Sequence, residues 1–253
     1  MADKTVQKTI LGIMMDPHSL CMLQDRRDEY GDIMLPKTLK TIEGVREIAN
    51  SFGFEEGTAA AIAVMEELTV PCYGAVGEEF LRQIDPAYTK ALYGRRLARR
   101  LFRELPEETM ETICRGLESL IACTHHTPEE KIALMIKTGR IFADSLERRG
   151  VAIIFTNQYK YFIIDKSAEA GVLTDYIIPE NDLPKRDKLE HTQEELSRRR
   201  NILQRVYGYC LANPEKVPER FREGWSGITE EILVSYYVAQ LGESEIEELY
   251  STL

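Results

Sequence analysis

A chain of 253 residues is long enough to bury a substantial core and to form one domain with room for an appendage. Its formal net charge of −10 excludes general nucleic-acid binding, because a polyanion needs a basic footprint. Hydrophobic content of 43% and charged content of 29% are those of an ordinary globular protein, and no apolar run approaches a membrane span, so no membrane partner is expected. The opening run MADKTVQKTILGIMMD lacks the charged, apolar and small-residue order of a signal peptide, and a cytoplasmic location is expected. Cys21, Cys72, Cys114, Cys123 and Cys210 fall without C-x-x-C spacing, which reads as reduced, buried thiols and not as a disulfide framework or a zinc site.

In chain order, Asp16-Pro17 is a helix start, and Pro36 opens a second helix with Leu39, Ile42, Val45, Ile48 and Ala49 at helical spacing. Across Gly53 and Glu55-Glu56 comes Ala59–Glu79, AAAIAVMEELTVPCYGAVGEE, the stretch around which the chain is organised. It begins as an apolar helix carrying adjacent carboxylates, Glu66 and Glu67. It breaks at Val70-Pro71 and turns through Gly74 and Gly77, a tight and backbone-close turn ending in Glu78-Glu79.

Pro86 is expected to start a helix through Tyr88, Leu92, Leu97 and Leu101 that carries Arg95, Arg96, Arg99, Arg100 and Arg103. Such a face is able to clamp a triphosphate or another anion. It reads equally as a solvated face balanced by Glu104, Glu107 and Glu108. Residues 107–121 form another amphipathic helix. In the following loop, His125 and His126 are neighbours that would point about 100° apart on a helix, a poor arrangement for one ion. Thr127, Pro128 and Glu130 give instead a capping box for the next helix. VAIIFTNQYKYFIID predicts a small β-hairpin around 151–165, residues 174–190 a long polar loop, and helical patterning returns from Thr192. The predicted fold is mainly α, with a helical core over 1–150, a hairpin-and-loop appendage over 151–190 and helices over 191–253 packing on the core.

The 59–79 stretch resembles the central motif of the deoxynucleoside triphosphate triphosphohydrolases, the dGTPase branch of the HD superfamily. There an apolar helix ends in His-Asp, followed by Leu-Gly-His-Pro-Pro-Phe-Gly-His-x-Gly-Glu. Read in register, Glu66 and Glu67 stand at the His-Asp pair, Val70 at the first later His and Ala75 at the second, whereas Pro71, Gly74, Gly77 and Glu78 match. Looser similarities place Lys37 at a first His ligand and Gly139 at the last Asp ligand. Tyr209 to Pro218 and Val234 to Leu241 follow the family's C-terminal layout without its polar signature.

The resemblance implies an HD-like helical bundle whose metal positions, Lys37, Glu66, Glu67 and Gly139, hold no imidazole, and in which Glu78 is a vestige of the proton-transfer pair. Two buried carboxylates need a counter-charge, and Lys37 is expected to pair with Glu66 or Glu67. The favoured expectation is a non-catalytic relative that binds a deoxynucleotide, with Arg95, Arg96, Arg99 and Arg100 as phosphate contacts, no cofactor, and a role in regulation or scaffolding. The resemblance further implies a homo-oligomer or assembly with an active paralogue. Two alternatives stand beside it. One is an enzyme rebuilt around Mg²⁺ or Mn²⁺ on Glu66, Glu67, Glu78 and Glu43 or Glu47; the other is a purely structural interaction protein.

Overall fold

In the computed structural model the chain is mainly helical, and the residues described are 2–15, 17–27, 31, 33–36, 38–39, 42, 46, 55–122, 151–155, 160–165, 173–177 and 190–253. The N-terminal run forms α1 (Ala2–Met15), a helix outside the expected elements although its apolar spacing is helical. Val6, Ile10, Ile13 and Met14 recur on one face and are all buried. α2 (Pro17–Asp25) begins at the expected Pro17 and buries Met22 and Leu23.

α3 (Glu56–Leu68) is the centre of the molecule: every residue from Gly57 to Leu68 is buried. A helix that is small and apolar all round cannot face water on any side. Its alanines let neighbours approach closely, and α1, α5 (Lys90–Leu101) and α6 (Glu107–Ile121) pack against it. These helices share one apolar cluster that includes Ile62, Met65, Leu97, Phe102, Ile113 and Leu117.

A second cluster lies where α4 (Ala75–Ile84) meets the C-terminal helices. The C-terminal helices are α7 (Gln193–Ala212), α8 (Glu219–Arg222), α9 (Glu230–Ala239) and α10 (Glu243–Ser251). α7 and α9 pack on α4 and on each other, and α10 packs on α7 and α2. Thr192 and Thr229 cap α7 and α9 by accepting hydrogen bonds from the Glu195 and Ile232 backbone amides.

Two expectations are corrected. Pro86 does not start α5; the helix begins at Lys90, with the Thr89 hydroxyl accepting from Leu92 N at 3.0 Å. Pro86 sits instead in a turn closed by Tyr88 N donating to Asp85 O at 2.9 Å and by Ala87 N donating to the Asp85 carboxylate at 3.0 Å. A local Asp side chain thus satisfies amides that a helix would otherwise have used. The second correction concerns the appendage. β1 (Val151–Phe155) and β2 (Lys160–Asp165) form the expected hairpin, with Ile153 opposite Ile163. The start of the expected loop at 174–190 is instead strand β3 (Leu173–Ile177), antiparallel to β2 in a three-stranded sheet of order β1-β2-β3. Its LTDYI run carries Thr174, Tyr176 and Ile177, β-branched and aromatic residues that favour strands.

Candidate functional site

α3 ends as its sequence dictates. Pro71 has no N–H to continue the ladder, and the Thr69 hydroxyl donates to Glu66 O at 2.7 Å in the last turn. This delivers Glu66 and Glu67 into the interior, where they are only 4% and 3% exposed. A carboxylate buried this deeply costs several kcal/mol unless a charge or hydrogen bonds compensate it. For Glu66 one compensating charge is Lys90, the first residue of α5, whose Nζ lies 3.1 Å from Oε1. Lys37 and Gly139 lie outside the described residues, as do Glu43, Glu47, His125 and His126. Sequence reasoning passed over Lys90 because only the packing of α5 on α3 brings it to the acid; the Thr89 cap, had it been read, would have placed it at the helix start.

Beyond Pro71 the chain makes the anticipated close turn through Gly74, but Gly77, Glu78 and Glu79, expected in that turn, already belong to α4. Tyr73 adopts φ 59° and Gly74 φ 54°, both left-handed. A Cβ on Gly77 would sit 2.2 Å from Cys72 O and 2.9 Å from Pro71 Cβ, so only glycine fits there without displacing backbone. The turn is tied to α9 by Cys72 N donating to Ala239 O at 2.7 Å. Glu78, at the start of α4, pairs with Arg82 one turn on at 2.9 Å.

Arg26, just past α2, joins these pieces. Its guanidinium is 2% exposed and donates to Val70 O and, at 2.8 Å, to Ala239 O. Those carbonyls lie at the C-terminal ends of α3 and α9, where the helix dipoles present negative ends, so one cation serves two helices. Burial lowers its pKa, against the pull of surrounding groups, and Nε has no hydrogen-bond partner among the described residues. Beside it, the Gln240 amide donates to the Tyr93 hydroxyl at 2.6 Å. Cys72 is buried in the same region, and burial pushes its thiol up to about 12.

The arginines of α5 do not share one face, since successive residues turn by about 100°. Arg95 grips both oxygens of Glu111 at 2.7 Å and reaches Glu118 at 2.9 Å on α6. The hydrogen bond that Arg95 donates to Glu111 raises the Arg95 pKa, and reciprocally Arg95 holds Glu111 below the usual carboxylate range. Arg99 meets Glu107 at 2.8 Å and Glu111 at 3.0 Å. Arg96 points elsewhere, donating to Asp85 at 2.9 Å and to the Tyr236 hydroxyl at 2.6 Å, while Tyr236 donates to Asp85 at 2.8 Å. Burial, followed by the Asp85 hydrogen bond, raises the Tyr236 pKa. Arg100 crosses to α8, donating to Phe221 O at 3.2 Å and Arg220 O at 3.3 Å, with its guanidinium 4.4 Å from the Phe221 ring. Acids that pair these arginines are Glu107, Glu111, Glu118 and Asp85, of which only Glu107 was anticipated.

Among the described residues no three His, Cys, Asp or Glu side chains gather to hold a metal ion, and no helix is long and apolar enough to cross a membrane. No protein-family model, curated protein or solved structure matches the chain.

Proposed function

We propose that the chain is a non-catalytic protein of the deoxynucleoside triphosphate triphosphohydrolase type, which binds a phosphorylated ligand in a regulatory or scaffolding role. The observation that carries the loss of catalysis is the ammonium of Lys90, 3.1 Å from a Glu66 carboxylate whose side chain is 6% exposed. A divalent ion at that carboxylate would have to displace or repel a resident cation. The positions matched to the family's ligands supply no imidazole, and Glu78 is engaged by Arg82, so the residues present do not fit the family's metal. The arrangement supports a structural use of Glu66, tying the end of α3 to the start of α5 through Lys90 where the family uses a metal.

The test is phosphate chemistry on the purified protein. With each of the four deoxynucleoside triphosphates and Mn²⁺, no tripolyphosphate release is expected, and elemental analysis should find no stoichiometric transition metal. Thermal-shift titration with the same nucleotides should raise Tm, since a ligand at one hundred times its Kd adds about 2.7 kcal/mol. Tripolyphosphate release, or a tightly held metal lost with Glu66→Gln, would overturn the reading.

A further inference from the structure

A cavity of about 490 Å³ opens between α1, α5 and the segment around α8, well away in sequence from the Glu66–Glu67 pair. Its volume falls within the range of small-ligand sites, roughly 300–1,000 Å³. In a chain of net charge −10, the lining is inverted: Lys8, Arg100, Arg103 and Arg220 face it against Glu104 and Glu223. We propose that this cavity binds a phosphorylated small molecule carrying two or more negative charges.

The cations divide by role. Arg100 is a positioning residue: by donating to Phe221 O and Arg220 O and stacking on Phe221 it fixes the backbone that presents Arg220. Lys8 is exposed on α1, and among the described residues no carboxylate pairs with it. Arg103 pairs with Glu223 at 2.8 Å, but the two side chains are 50% and 49% exposed. An ion pair so open to water holds its partner weakly, and a multivalent phosphate competes for Arg103 effectively. Gly12 of α1 also lines the cavity, and a Cβ there would meet nothing within 4 Å, so the α1 wall leaves space that a ligand can fill. The inference takes its ligand size from the proposed nucleotide-binding role but its charge from this lining alone.

The experiment is calorimetric titration of the full chain with sodium tripolyphosphate and, separately, with dGTP and dATP. The proteins are the wild type, Lys8→Glu, Arg103→Glu and Gly12→Leu. Tripolyphosphate is expected to bind with an affinity that falls as salt is raised, and each charge reversal should weaken it roughly tenfold or more. Gly12→Leu, which leaves every charge in place, should block the larger nucleotides more than tripolyphosphate. No binding of tripolyphosphate or of either nucleotide at millimolar concentration would overturn the proposal, as would binding indifferent to Lys8→Glu and Arg103→Glu. Hydrolysis by the wild-type protein would refute the non-catalytic reading and leave these titrations unaffected, so the two ideas fail separately.

Discussion

The turn after α3 can be tested with three glycines whose surroundings differ in a known way. An alanine at Gly77 would bring Cβ to 2.2 Å from Cys72 O, where ordinary contact begins at 3.4 Å, so the carbonyl must retreat by about 1.2 Å. That atom is backbone and has no rotamer to escape into. Its residue is anchored through Cys72 N to Ala239 O at 2.7 Å, so the displacement is transmitted to α9. The expected cost is about 3 kcal/mol or more, above ordinary overpacking. For a chain of this size that lowers Tm by about 6–12 °C. Gly74→Ala meets no atom within 4 Å but must adopt φ 54° with ψ −117°, a strain of about 1–3 kcal/mol. Gly12→Ala in α1 has open space and helical backbone, and should stabilise by about 0.5–1 kcal/mol. Urea denaturation followed by circular dichroism ranks all three. A Gly77→Ala variant no less stable than Gly74→Ala would refute the close approach of the turn to Gly77.

The interior polar groups give further expectations. Arg96→Met leaves the Asp85 carboxylate, 3% exposed, without its guanidinium and should cost about 2–4 kcal/mol; a cycle with Asp85→Asn should return a coupling above about 1 kcal/mol. If the two substitutions add, the pair is not coupled. Lys90→Met removes a counter-charge from Glu66 and should destabilise by about 1–3 kcal/mol, with Glu66→Gln restoring part of the loss in the double variant; equal destabilisation by Lys90→Met in the wild-type and Glu66→Gln backgrounds would deny the pairing. Burial raises Cys72 from 9.0 to about 12 and Cys114 and Cys210 to about 11. The folded chain therefore keeps protons that the unfolded chain releases. This contribution to stability is fully present below pH 9 and is lost as pH rises through 11 to 12. Denaturation midpoints should fall steadily above pH 9, and a thiol reagent at pH 8 should modify these three cysteines only after unfolding.

Several parts of this molecule were legible because their causes are local. The end of α3 follows from Pro71, and the close turn from Gly74, whereas Gly77 and Glu78-Glu79, expected in that turn, belong to α4. The β1–β2 hairpin follows from two β-rich runs around a polar turn, and α6 from amphipathic spacing. Misreadings were also local in origin but involved competing signals. Pro86 is a good first helical residue, yet the Asp85 carboxylate captured Ala87 N and postponed α5 to the Thr89 cap. β3 was hidden because its five residues do not alternate and adjoin a polar, proline-containing tail.

What the sequence determined by itself was α2, α3, α6 and the return of helix from Thr192, together with an apolar segment ending in two acids and the need for those acids to find positive charge. Which cation would answer, and which way each arginine of α5 would turn, was decided only by tertiary packing. Lys90 reaches Glu66 across 24 residues of chain, and Arg26 reaches Ala239 across 213. Periodicity specifies the face a side chain occupies on its own helix; the charge it meets depends on which other helix is pressed against that face, a property of the assembled core.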